Sequence, residues 1–278
     1  MRRLIPMLAA SMIVAACTLP STTTVTGRDL TATALPPMPA GEPIEVIAVF
    51  DGDSLEAIVD GAAEEIRLLG INAPESNECW AQEAKEAISD LLSTGSVTLV
   101  AADRDQFGRL LGYVGAGNTF TNASLVASGH ATAIANDHAY LGAFRAAEEA
   151  AFEASIGLWG PTACGPDIGA DLRIVEVDSD PPGQDDDPRS GESALITNRG
   201  DGTVNLEGWV LRDESSVHRY HFPAGTSLAP GAELRVFSIC GVHEHCFGEQ
   251  DTVWSNAGDT ALLLDSSGNV IDRFRYGG

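Results

Sequence analysis

The sequence predicts a multi-domain chain in which an α+β domain of five short strands and three helices precedes an all-β sandwich. Three observations carry this. Between Glu45 and Ser155, two-residue alternation is interspersed with stretches whose apolar residues recur at helical spacing. From Leu172 onward no helical periodicity remains, and short apolar runs alternate with turn clusters. The 278 residues are also enough for two separate cores.

In the first domain, Val46–Phe50, Ser54–Val59, Glu65–Ile71, Val97–Ala101 and Leu110–Val114 are short β-like runs and predict strands. Trp80–Leu92 carries Ala84, Ala87, Ile88 and Leu91 on one helical face and ends before Thr94-Gly95. Asn122–Ser128 and Tyr140–Ser155 predict two more helices, the second alanine-rich with charges on one side. Pro161–Pro166 is a breaker-rich junction. Beyond it, turns at Asn198–Gly202, Pro230-Gly231 and Ser266–Asn269 separate the strands of a sandwich of roughly a hundred residues. Trp209 and Phe222 are expected in its core. The acidic run Asp178–Asp187, with its Pro and Gly, reads as a solvated loop because it lacks ordered calcium-ligand spacing.

The N-terminus belongs to neither domain. Met1-Arg2-Arg3 is basic and Leu4–Ala16 is apolar, but the run is too short to cross a hydrocarbon core of ~30 Å, so a cleaved export signal is expected. Val14-Ala15-Ala16-Cys17 resembles the lipobox of bacterial lipoproteins, which implies lipidation of Cys17 and residence on the extracytoplasmic face of the cell membrane. Residues 18–42, rich in Thr, Pro, Ala and Ser, read as an extended tether. Cys79, Cys164, Cys240 and Cys246 then remain, an even number in an oxidising context that allows three connectivities. Pairing Cys79 with Cys164 and Cys240 with Cys246 keeps each bond within one domain. The run His243-Glu244-His245-Cys246 lacks zinc spacing, and a small disulfide loop accounts for its cysteine.

The net charge is −24, from 16 basic and 40 acidic residues. Residues 41–164 hold five basic side chains (Arg67, Lys85, Arg104, Arg109, Arg145) against nineteen acidic ones, a balance of −14. Such a surface excludes a generic nucleic-acid coat, whose affinity rests on many phosphate contacts. Any nucleic-acid binding is expected to be weak and local.

Phe50-Asp51-Gly52-Asp53-Ser54, then Ile66-Arg67-Leu68-Leu69-Gly70-Ile71-Asn72-Ala73-Pro74-Glu75, then Asp105-Gln106-Phe107-Gly108-Arg109 form the chemical signature of the chain. Charge grows on the non-bridging oxygens as a nucleophile adds to a phosphodiester, so fixed cations must meet it. Arginine binds two such oxygens at once and stays protonated, which suits Arg67 and Arg109. A hard divalent cation on carboxylate and amide oxygens adds a Lewis acid, with Asp53 as first candidate ligand. Glu75 is placed to aim or deprotonate a water.

In order and spacing these motifs resemble the staphylococcal nuclease (thermonuclease) family, over about Pro43–Trp159 with Ile156-Gly157-Leu158-Trp159 resembling its closing motif. The resemblance implies a partly open OB-fold barrel and a nuclease domain at 43–165. Its implied activity is calcium-dependent hydrolysis of DNA or RNA to 3′-phosphates. It also implies Arg67, Glu75 and Arg109 as catalytic residues, with Asp53, Asn72 and the Ala73 carbonyl on the metal. It departs from the family at Asn72, where an aspartate is usual, at Phe107, where a tyrosine is usual, and in lacking aromatic residues near Ala133–Asp137. Ala194–Asn198, Val204–Leu211 and His221–Thr226 with Leu228–Gly231 resemble a lamin-tail domain. That implies an immunoglobulin-like sandwich at 171–278 whose ligand is unknown. The alternative function is a non-catalytic surface binding or adhesion protein that keeps the nuclease fold.

Overall fold

A computed structural model describes residues 35–183, 191–215, 217–248 and 252–277. The export signal, Cys17, residues 18–34 of the expected tether and the end of the 178–187 loop lie outside them. Among the described residues no helix is long and apolar enough to cross a membrane.

The first domain runs β1 (Glu42–Pro43), β2 (Glu45–Val49), β3 (Ser54–Val59), β4 (Ala62–Leu68), β5 (Ile71–Asn72), α1 (Ala81–Leu92), β6 (Val97–Arg104), β7 (Leu110–Ala116), β8 (Thr119–Phe120), α2 (Thr121–Ala127), β9 (Thr132–Ala133) and α3 (Leu141–Glu153). A 3₁₀ turn at Gly157–Trp159 closes it. The main sheet has the order β1-β6-β7-β4-β3-β2, with β8 on β7. All pairs are antiparallel except β4 with β7, which run parallel. The barrel-like sheet and three helices agree with the OB-like α+β expectation. Leu55, Ile66, Leu68, Ile88, Leu125 and Phe144 are buried in its core.

Two local expectations are corrected. The run Glu65–Ile71 is not one strand, because Gly70 at φ +80° separates β4 from β5. Such a φ is cheap only for glycine. The chain leaves its tether before residue 43: Glu42 pairs with Leu99, and Met38 packs on the core over Gly115. Pro43 is tolerated because β1 is an edge strand.

The second domain is all-β among the described residues: β10 (Leu172–Asp178), β11 (Ser193–Asn198), β12 (Val204–Asn205), β13 (Val210–Arg212), β14 (Arg219–His221), β15 (Ser227–Leu228), β16 (Glu233–Phe237), β17 (Gly258–Leu264) and β18 (Val270–Gly277). One sheet has the order β10-β11-β16 and the other β14-β13-β17-β18, with β12-β15 as a small ribbon. Trp209 and Phe222 are each 2% exposed, as core residues should be. The bond between Cys240 and Cys246 forms, and His243 stacks on Phe237.

The two domains pack into one compact unit. Leu158 and Trp159 share a buried cluster with Leu262, joined by Trp80, Leu264 and Val270. Charge reinforces the seam. Glu148 on α3, fully buried, pairs with Arg273 and Arg275 of β18, and Glu149 pairs with Arg273. The acidic first domain thus meets arginines of the second, and a carboxylate this buried requires such partners.

Candidate nuclease site

Asp53 and Arg67 meet because β3 and β4 are antiparallel neighbours with Ser54 opposite Arg67. Before β3 the chain turns through Asp51-Gly52-Asp53, where Asp51 Oδ1 accepts the Asp53 N–H at 3.0 Å. A Cβ on Gly52 would lie 2.6 Å from those of Ala73 and Ala84, so only glycine lets this turn approach the β5 exit. Asp53 is 5% exposed. Its Oδ1 accepts from the Ser54 hydroxyl, and Oδ2 accepts a short bond from the Ala73 N–H and lies 3.0 Å from Arg67 Nη2. Burial pushes its carboxyl up to about 6, against the pull of Arg67 and with a further push from Asp51.

Arg67 Nη2 also donates to Asn72 Oδ1 at 2.8 Å, while Nη1 donates to the carbonyls of Leu68 and Ile71 at 3.0 and 2.8 Å. Asp53 Oδ2 and Asn72 Oδ1 therefore converge on one point, at which the guanidinium stands. These are hard oxygen donors of the kind a calcium ion takes, held in a buried setting. Of these two donors only Asp53 carries charge, since Asn72 contributes a neutral amide.

Arg109 follows the turn Asp105-Gln106-Phe107-Gly108, whose Gly108 sits at φ +88°. Asp105 Oδ1 accepts the N–H groups of Phe107 and Arg109, and Oδ2 accepts from Arg109 Nε at 2.7 Å. Arg109 Nη1 lies 4.0 Å from Glu65. Glu65 and Arg67 alternate to the same side of β4, and Leu111 pairs with Arg67 across the parallel ladder. Arg67 and Arg109 thus flank one face of adjacent strands. Phe107, 75% exposed, lies under the Arg109 guanidinium at 5.6 Å.

Glu75 lies three residues beyond Asn72 on the segment that leads to α1, and another carboxylate holds its backbone. Glu78 Oε2 accepts the Glu75 N–H at 2.9 Å, and the Glu78 N–H donates to the Glu75 carbonyl at 2.7 Å. Glu78 is held in turn by two arginines of the second domain. Arg219 reaches Oε1 through Nε and Nη2, both at 2.7 Å, and Arg212 Nη1 lies 3.5 Å from Oε2. Burial opposes ionisation of Glu78, but Arg212, the Glu75 N–H and Arg219 together hold its carboxyl below the usual range. Next in the chain, Cys79 is bonded to Cys164, and Trp80 adopts φ +69°, a strained value for a bulky residue. Glu78, Arg212 and Arg219 escaped sequence reasoning because no local pattern links residues more than 130 positions apart.

Residues 65–161 match the family model described as staphylococcal nuclease homologue, and residues 168–278 match that of the lamin tail domain. The Asp51–Ser54 turn precedes the first match. The chain is 33% identical over 70 residues to the micrococcal nuclease of Shigella flexneri and likewise to protein ParB of Escherichia coli, each time covering 25% of this chain and 40% of the relative. It is 32% identical over 118 residues to an uncharacterized endonuclease of Haemophilus influenzae, covering 41% of this chain and 64% of that protein. The chain therefore spans less than half the length of the first two relatives. It joins a staphylococcal nuclease homologue domain at 65–161 to a lamin tail domain at 168–278.

Proposed function

We propose that this protein is a calcium-dependent nuclease that hydrolyses phosphodiester bonds of DNA or RNA. The observation that carries the reading is the convergence of Asp53, Arg67 and Asn72 on one point, on the segment leading to Glu75 and on the sheet face shared with Arg109. Asp53, Asn72 and the Ala73 carbonyl would hold calcium, which when bound neutralises developing charge and orients the water. Arg109 binds a non-bridging phosphate oxygen, and Arg67 turns from its internal carbonyl partners to bind another. Glu75 accepts the proton of the attacking water, its backbone held by Glu78. With few cations around the site, the clamp supplies most of the affinity for nucleic acid.

The test is cleavage of plasmid, single-stranded DNA and RNA by the purified soluble region, with calcium and with a chelator. Alanine at Arg67, Glu75 or Arg109 should each remove most activity with the circular dichroism unchanged, since such charge stabilisation contributes several kcal/mol. Near-parental turnover in all three would move the site elsewhere, and an inactive parental chain would favour the non-catalytic binding module.

We further infer export and tethering to the outer face of the cell membrane through a lipidated Cys17, supported by the basic start, the short apolar run and Val14-Ala15-Ala16-Cys17. Membrane fractionation of the parental and Cys17→Ser proteins tests this. Equal release of both into the medium would overturn it.

A further inference from the structure

A cavity of about 300 Å³ opens at the seam between the two domains. Asn72, Pro74 and Trp80 line it from the nuclease side, and Val210, Arg212 and Leu264 from the lamin-tail side. Its wall comes within one residue of Glu75. Pockets of this kind, apolar with a few polar groups at a domain boundary, are where small ligands and substrate parts bind.

Three donors on residues of this wall have no protein partner among the described residues: Asn72 Nδ2, Trp80 Nε1 and Arg212 Nε, all buried. The two carboxylates of the wall are already engaged. Asp265 takes the N–H groups of Ser267 and Asn269 and the Asn269 amide, and Glu78 takes Glu75 and Arg219. Arg212 is 6% exposed, and among the described residues its one ion pair, to Glu78, is a loose 3.5 Å, while Arg219 holds that carboxylate at 2.7 Å. Glu75 and Asp213 act on it at longer range, while burial pulls its guanidinium below the usual range. A buried cation with so little compensation calls for an anion.

We propose that this seam cavity is a second phosphate subsite, in which Arg212 of the lamin tail domain binds the phosphate of the polynucleotide unit adjoining the scissile one. The proposal rests on the nuclease reading. The base of that unit lies against Pro74, Trp80, Val210 and Leu264, which line the cavity. A lamin tail domain is then part of the substrate site, which offsets the shortage of cations on the nuclease domain and its lack of aromatic residues near Ala133–Asp137.

The experiment uses the full soluble chain in the Arg109→Ala background, in chelator, so that the catalytic clamp is weakened and nothing turns over. Calorimetry with thymidine 5′-monophosphate, thymidine and inorganic phosphate should show binding of the nucleotide and much weaker binding of the nucleoside. Arg212→Gln should weaken the nucleotide at least tenfold. Val210→Phe, which fills the cavity without removing the Glu78 pair, should do the same. In the otherwise parental chain with calcium, Val210→Phe should raise KM for an oligonucleotide about tenfold at nearly constant kcat. Nucleotide binding indifferent to both substitutions, equal binding of thymidine, or an unchanged KM each overturn the proposal, the last by leaving a site for free nucleotides only. Failure of the nuclease reading is distinguishable, because it appears as absent turnover in the parental chain whatever the calorimetry shows.

Discussion

Replacing Glu78 by Gln removes the charge whose direct ion pairs join the Glu75 segment to the lamin tail domain. Three contacts change together: the bidentate pair with Arg219 at 2.7 Å, the looser pair with Arg212 at 3.5 Å and the bond from the Glu75 N–H at 2.9 Å. The side chains of Glu78, Arg219 and Arg212 are 22, 17 and 7% exposed, so the substitution takes a charged partner from two poorly solvated guanidinium groups. Breaking a fully buried pair from one side costs ~3–5 kcal/mol, and the residual exposure here lowers the expectation to about 2–3 kcal/mol. Arg219→Gln should destabilise by a similar amount. Because the two act on one interaction, the double variant should show a coupling of about 2 kcal/mol in urea denaturation. Activity should respond beyond stability. A Glu75 carboxylate free to wander by an ångström is expected to lose ~100-fold in turnover at saturating substrate, measured well below the unfolding transition. Additive effects, or parental kcat in a folded Glu78→Gln variant, would refute the idea that the second domain positions the first domain's candidate base.

The Cys79–Cys164 bond closes a loop of 85 residues and the Cys240–Cys246 bond one of 6. Chain entropy then predicts losses of ~4–5 and ~2 kcal/mol on their removal, and urea denaturation of the two Cys→Ser pairs should rank them in that order. Asn72→Asp adds a second charged ligand and should tighten calcium by about tenfold, ~1.4 kcal/mol, in calorimetric titration. Unchanged affinity there would mean that residue 72 does not face the metal. Burial and the neighbouring Asp259 raise Glu214 to about 8, and burial and Asp213 raise Asp259 to about 7. Both carboxyls are favoured neutral in the folded state, so the stability that they contribute is complete below the unfolded values and is lost as pH rises through these folded ones. The melting temperature should fall between pH 5 and 9, and Glu214→Gln should flatten that slope.

The sequence by itself determined most of the elements and named the residues gathered at the candidate site. Two-residue alternation and helical spacing are local properties of a chain whose backbone groups must pair within nearby segments, which is why β2, β3, β6, β7 and all three helices fall close to where the pattern puts them. Asp53, Arg67, Asn72 and Ala73 were legible because two short motifs hold them in order, and the antiparallel β3–β4 register then brings Asp53 to Arg67, which reaches Asn72 on β5. The break at Gly70 was visible only as a glycine, and its φ of +80° was set by the pairing of β5 with β9, which lies sixty residues away.

The seam was decided by tertiary structure alone. Arg212 and Arg219 sit on ordinary short strands, and in a sequence they look like outward-facing positions of a sandwich. They become partners of Glu78 because the cluster of Leu158, Trp159 and Leu262 and the buried Glu148 ion pairs dock the two domains in one arrangement. Hydrophobic burial and desolvated charge act between surfaces brought together by the fold, and neither leaves a periodic trace along the chain.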